Sequence, residues 1–518
     1  MEADRPARLR LPPRLLGLPA HDDLHRPRPR PHQRRSPPLL DRLPRPAAHP
    51  AGGHHRRPRP RLTADHQRRS ARPPARRPPA GPRPVSIRQP SEPGLSILLR
   101  RPGEDAIKLH TGLANLEHVV PISPDTAFNV GSVAKQITAH LALLAAADGH
   151  LTLDQPAHTL LPRLQVHDVT IRDLITHHSG LRDAESLLSL AGFRDLDHYT
   201  ADDLINLAYR QKQRAVPTGQ FLYSNTNYLL LAKILETVHA TDLATHARTR
   251  LFDPLGMTAT HFKTDPRQLI PHAASAYRPS PADWQHTAQP ATLPGPGSLW
   301  TTPTDLDRWL DHLHARWQQS GLEFPDQEAV PYRSAAQDQY LYGAGLYADP
   351  RTNFRVAFHY GHEQGFSAAA SLGATGLRVI CLSNNAALTA DHAAVSLRSA
   401  AKQPGQQLAD LLDHAVHGAT AARQVPASDR LRQAGQHVHS DIGLFTCEEV
   451  PGSLRLTRAG DSVHLWRRGT SEEIVPTEAF KYSGHGYTIT SAGKLDETDG
   501  FTLDLTRSPG LRYVRHNR

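Results

Sequence analysis

Phe128-Asn129-Val130-Gly131-Ser132-Val133-Ala134-Lys135-Gln136-Ile137-Thr138 opens a helical run that continues through Ala139, Leu141, Leu143, Leu144 and Ala147 and stops at Asp148-Gly149. A serine three residues before a lysine on a helix places hydroxyl and ammonium on one face, about a turn apart. A lysine held neutral by burial and neighbouring charge can take the serine proton and leave a nucleophile. S-x-x-K also arises by chance in helices without chemistry, so its meaning depends on what accompanies it.

Working outward, 94–100 and 107–110 read as a strand pair turned at Pro102-Gly103-Glu104-Asp105. Thr170 caps a short helix that runs to His177-His178 and is broken at Gly180. That histidine pair lacks Cys, Asp or Glu at ligand spacing, so no metal is expected there. Helices are predicted over 201–211 and 226–238. Between them Tyr223-Ser224-Asn225 delivers polar groups directly before an apolar helix. A Gly-rich loop, Gly295-Pro296-Gly297-Ser298, precedes another helix beginning near Asp305. Strands follow around 368–372 and 377–384, the second apolar throughout and so buried on both faces. His359-Tyr360-Gly361-His362 is expected on the edge of the same sheet.

Three polar clusters therefore stand in order: Ser132 with Lys135, Tyr223 with Asn225, and His359 with Gly361. In this the chain resembles the serine β-lactamase and penicillin-binding-protein superfamily, on the side of class C β-lactamases, DD-peptidases (DD-carboxypeptidase-like), D-aminopeptidases and related esterases. The resemblance covers about 92–400 and includes the phrases at 174–180, Pro254-Leu255-Gly256-Met257 and 379–384. It implies an α/β (α+β) catalytic domain, an antiparallel sheet flanked by helices. It also implies roles. Ser132 attacks a carbonyl, and Lys135 is the base or depresses the pKa of Tyr223. Tyr223 is the alternative base and the shuttle to the leaving group. Asn225 holds Lys135 and a substrate carbonyl. The backbone N–H groups of Ser132 and His362 form the oxyanion hole, such donors being worth on the order of 3 kcal/mol each. Gly361 is there because a side chain would block the substrate's approach.

Two departures from the family pattern stand out. His359 replaces the usual lysine, a permanent cation that binds a substrate carboxylate, and histidine is mostly neutral at pH 7. That tilts the expectation from β-lactams toward small esters, amides or D-amino-acid peptides. The amphipathic helix that normally precedes the first strand is not legible either. Two functions follow: a serine hydrolase working through an acyl-enzyme, or a non-catalytic sensor of peptidoglycan fragments or β-lactams. Retention of Ser132, Lys135, Tyr223 and Asn225 favours the enzyme. The expected partner is a small-molecule or short-peptide substrate, with no cofactor and no metal.

The formal net charge of +10 hides an asymmetry. Residues 1–90 hold 22 arginines, no lysine, six acids and 21 of the 45 prolines, a local net of +16, and the remainder carries −6. This tail has no amphipathic period. It reads as a disordered extension, as a patch attracting nucleic acid or a membrane surface, or as an unselected frame of GC-rich DNA. Catalytic domain 91–403, linker 404–432 and C-terminal domain 433–518 follow. The last alternates apolar and polar residues in five segments from Leu454 to Val514 and is expected to be a small antiparallel β barrel. Two cysteines make no disulfide framework. No apolar run nears the ~18 residues of a membrane span, and no signal peptide is legible, so a cytoplasmic location is expected.

Overall fold

The computed structural model describes residues 91–194, 196–281, 283–320, 330–333, 339–349, 356–401 and 440–516, all within the unit Pro84–Arg518. The Arg/Pro tail and the 404–432 linker lie outside the described residues.

An eight-stranded antiparallel sheet carries the catalytic half. Its order is Val330–Arg333, Gln339–Gly343, Leu346–Asp349, Val356–Glu363, Phe366–Gly373, Arg378–Ser383, Leu95–Arg100 and Ile107–Thr111. Strand alternation divides its side chains between two cores. Leu95, Ile97, Leu99, Ala369, Val379 and Cys381 face the helix Ala390–Ala400, against Ala393, Ala394 and Leu397. Leu98, Ala368, Ala370, Leu372, Ile380 and Leu382 face the main core, which includes Trp309 and Leu310 of the helix Pro303–Ser320. Arg378–Ser383 is central and buried, as its unbroken apolar run predicts.

Beyond the main core lie α1 (Lys135–Ala147), α2 (Ile171–Thr176), α3 (Ala184–Leu190), α4 (Ala201–Ala208) and α5 (Asn225–His239). Helix α1 is rich in alanine and leucine, strong helix formers, and is buried on almost every side. α2 starts at a capping box made by Thr170 and Asp173 and ends with His177 in the left-handed region, φ 60°. The catalytic serine expected on α1 is instead on a 3₁₀ turn, Gly131–Ala134, that leads directly into it.

The segment containing His359 corrects the edge-strand expectation. Val356–Glu363 is an interior strand, paired with both Leu346–Asp349 and Phe366–Gly373. Pairing to the former ends at Phe358, so among the described residues His359–Glu363 is bonded on one side only. The other side of that half opens onto the cleft.

Residues Ser440–Arg515 close into an eight-stranded barrel, three strands more than the alternation predicts. Ser440–Cys447, Thr470–Glu478 and Lys481–Ser483 are the additions. Thr470–Glu478 has a single buried side chain, Ile474, so it carries almost no apolar period. Among the described residues no helix is long and apolar enough to cross a membrane.

Candidate active site

Ser132, Lys135, Tyr223 and Asn225 converge from two separate segments. Lys135 is fully buried. Its Nζ lies 2.9 Å from Ser132 Oγ, 2.7 Å from Asn225 Oδ1 and 2.9 Å from the Pro296 carbonyl oxygen. The Tyr223 phenol donates to Ser132 Oγ at 3.0 Å. Burial, with the Arg507 cation nearby, pulls the Lys135 ammonium down to about 7. Burial pushes the Tyr223 phenol up, so it is protonated at neutral pH.

Hydrogen-bond bookkeeping fixes the direction of the network. The Asn225 oxygen and the Pro296 carbonyl can only accept. A neutral Lys135 gives them its two N–H bonds and turns its lone pair to Ser132. Ser132 donates to that lone pair and accepts from Tyr223. Every group is then satisfied, with the serine proton already directed at the amine.

Asn225 is held as firmly as it holds. Its backbone N–H, the first of α5, donates to Asp183 Oδ2 at 2.7 Å, and its side-chain amide donates to Glu185. That second bond occupies one of the two amide hydrogens expected to serve the substrate. Asp183 also caps α3, accepting from Ser186 N at 3.0 Å, so one buried carboxylate serves two helix starts.

Gly361 and Gly131 bring the sheet against the serine turn. A Cβ on Gly361 would overlap the Val130 carbonyl oxygen and come 2.9 Å from Ser132 N. Gly131, φ +46°, offers a Cβ no more room, 2.9 Å from His362 N. The two backbone N–H groups named for the oxyanion hole thus flank one close backbone approach. The His362 side chain is exposed and lies 3.8 Å from Asp391.

His359 is buried, and its ring is fixed by two contacts. Nδ1 donates to the Tyr360 carbonyl at 2.6 Å, which leaves Nε2 to accept from the Tyr342 phenol at 3.3 Å. Burial and then Lys135 push its pKa down to about 3, so it is neutral under any working condition. It brings no cation to the cleft.

Several cleft residues escaped sequence reasoning. His177 packs its ring 4.3 Å from that of Tyr223, with Nδ1 3.3 Å from Ser224 N and 2.9 Å from Asn227 Nδ2. This is the work of half of the His177-His178 pair. Glu185 and Glu363 line the cleft, and burial plus mutual repulsion push Glu363 up to about 8. Arg507, from the barrel, lies with its guanidinium carbon 4.9 Å from the Tyr223 ring centroid. No local signal marks these three: each acquires meaning only from what folding brings opposite it. The cleft measures about 1200 Å³. Among the described residues no cluster of three His, Cys, Asp or Glu could hold a metal ion.

A family model described as Beta-lactamase matches residues 86–402. A D-aminopeptidase of Gluconobacter oxydans (strain 621H) is 24% identical over 290 residues, 53% of this chain and 52% of its own length. The teichoic acid D-alanine hydrolase of Staphylococcus aureus is 24% identical over 271 residues, 50% of this chain and 63% of its own. The chain thus spans between half and two thirds of the length of these curated relatives. Among solved structures, the octameric penicillin-binding protein homologue from Pyrococcus abyssi is 20% identical, covering 82% of this chain and 96% of its own with a TM-score of 0.51. That likeness is one of fold.

Proposed function

The chain belongs to the Beta-lactamase family of serine hydrolases, and we propose that it cleaves short D-amino-acid amides, peptides or esters through an acyl-enzyme on Ser132. The observation that carries this reading is the buried Lys135, whose three contacts leave a neutral amine only one use for its lone pair, the Ser132 hydroxyl. A binding protein has no use for that arrangement.

Ser132 attacks the carbonyl carbon as its proton passes to Lys135. The tetrahedral oxyanion sits between the N–H groups of Ser132 and His362. Tyr223 gives its phenol proton to the departing nitrogen or oxygen and is reprotonated from the Lys135 ammonium. Water then repeats the sequence on the ester, with Lys135 again as base, and frees Ser132. D-Configured acyl groups are favoured by the names of the two curated relatives, one a D-aminopeptidase and one a D-alanine hydrolase. The neutral His359 argues against the third motif as a carboxylate anchor.

The test is a mass spectrum of the full chain after exposure to a fluorophosphonate, with kinetics on D-amino acid p-nitroanilides and p-nitrophenyl esters. A single adduct on Ser132, lost in Ser132→Ala together with at least ~10³-fold of kcat, is expected. An adduct on another serine, or an unmodified protein that still binds these compounds, would refute the assignment in favour of a sensor.

A further inference from the structure

The cleft contains a cation that the catalytic steps do not use. Gly500–Leu505 and Ser508–Arg515 pair with Leu505 opposite Ser508, so Thr506 and Arg507 form a two-residue hairpin tip. The backbone of this tip is gripped by the catalytic half. Asp183 N donates to the Arg507 carbonyl at 3.0 Å, and Ser508 Oγ to the Asp183 carbonyl at 3.2 Å. Arg182, almost wholly buried, donates to the carbonyls of Pro509 at 2.8 Å and Gly510 at 3.2 Å while pairing with Glu449 at 3.0 Å. The side chain of Arg507 has no such duty. It is exposed, lies over the Tyr223 ring, and has no carboxylate within ion-pair distance among the described residues.

The other charges around it do not complete it. Arg398, also in the cleft wall, donates to the Tyr360 hydroxyl at 3.0 Å. Asp183 and Glu185 are bonded to helix α5. Glu363 is held toward its neutral form. The third-motif position, where a lysine would stand, is a buried neutral histidine. Among the described residues the Arg507 guanidinium therefore has no carboxylate partner, and it stands beside the phenol that protonates the leaving group.

We propose that Arg507 is the specificity-determining cation of this cleft and receives a free carboxylate on the leaving group. Its preferred substrates are then short peptides whose C-terminal residue follows the scissile bond. In such a peptide the carboxylate carbon lies only two bonds, about 2.5 Å, beyond the departing nitrogen, on the side where Tyr223 and Arg507 stand. A guanidinium takes a carboxylate in two parallel hydrogen bonds, which a neutral amide cannot reproduce. The inference deepens the acyl-enzyme reading and rests on it for the side of the cleft the leaving group takes.

A matched pair tests it: D-alanyl-D-alanine as the free acid and as its C-terminal amide, with wild-type, Arg507→Gln and Arg507→Lys full-length protein. The ratio of kcat/KM for acid over amide is expected to fall about 10- to 100-fold in Arg507→Gln, the range of a charge-assisted hydrogen bond, with Arg507→Lys between. Calorimetric binding of both compounds to Ser132→Ala, with and without Arg507→Gln, repeats the comparison without turnover. Equal losses for acid and amide would mean that Arg507 acts only through Lys135 and Tyr223, and would overturn the proposal. So would equal binding of acid and amide to the protein retaining Arg507. A binding preference erased by Arg507→Gln, in a protein that hydrolyses neither compound, would uphold the anion site and refute the hydrolase reading instead.

Discussion

Replacing Lys135 with methionine should change stability in opposite directions at low and high pH. The side chain is fully buried, and its pKa falls from 10.5 to about 7. Each unit of difference between folded and unfolded states is worth about 1.4 kcal/mol, so burying the ammonium costs about 5 kcal/mol below pH 7. Because the folded pKa is the lower, the unfolded chain binds more protons between 7 and 10.5. Wild-type stability therefore rises with pH across that window and is fully recovered only above it. Methionine, of similar length, removes the ionisation. It also takes the donor from Asn225 Oδ1 and the Pro296 carbonyl and the hydrogen-bond partner from Ser132 Oγ, a loss of about 1 kcal/mol each. The balance favours Lys135→Met by about 2 kcal/mol at pH 6 and wild type by about 3 kcal/mol above pH 10.5, with a crossing at about pH 8.5. Urea midpoints and slopes for both proteins from pH 6 to 10 read this directly, and hydrolysis should fall at least ~10³-fold at every pH. A stability difference independent of pH would mean that Lys135 is not desolvated, and the case for it as the base would fail.

Tyr223→Phe should lower kcat/KM for D-amino acid anilides by about 10²- to 10⁴-fold, the range of a lost proton donor. p-Nitrophenyl esters, whose leaving group departs unprotonated, should lose far less; equal losses would place Tyr223 outside proton transfer to the leaving group. Gly361→Ala forces a Cβ onto the Val130 carbonyl oxygen. The displacement of the strand from the Ser132 turn should cost about 10²-fold in kcat, and unchanged kcat would remove His362 N–H from the oxyanion site. A chain lacking residues 2–89 should retain both thermal unfolding and hydrolysis, since no site residue precedes Ser132 and the sheet begins at Leu95. The cut must spare Glu92, whose carbonyl accepts from Leu113 N at 2.8 Å.

The two pairs that meet in the cleft were legible because each is local in sequence or nearly so. Ser132 and Lys135 are separated by one turn, and Asn225 is two residues from Tyr223 at a helix start, where polar side chains are needed in any case. Gly361 was legible as a close approach, though not what it approaches. The neutrality of His359 was expected from its residue type, but its burial was not, because that depends on the Tyr342 and Tyr347 rings and the Lys135 side chain that folding brings against it. The barrel was read with five strands because the other three lack an apolar alternation, as the almost wholly solvated Thr470–Glu478 illustrates. Arg507 resembles any arginine in a polar turn. Only the packing of the barrel against α3 gives it a place near Tyr223.

One dipeptide of that packing reaches the cleft. The guanidinium of Arg182 grips the hairpin through Pro509 and Gly510, while the main chain of Asp183 bonds to Arg507 and Ser508. The side chain of the same Asp183 holds the N–H of Asn225, whose oxygen holds Lys135. The barrel is thus linked through two hydrogen bonds to Lys135. The Thr506 and Arg507 side chains are exempt, because the tip is held by the Arg507 carbonyl, which any residue supplies. Thr506 and Arg507 can therefore be exchanged without disturbing Lys135 through that chain of bonds. Ser132, Lys135, Tyr223 and Asn225 lie within 86–402, the segment matched by the family model, whereas this tip lies beyond it. Substrate choice, on the proposal made for Arg507, then belongs to a part of the chain that bears on Lys135 only through the charge of that guanidinium.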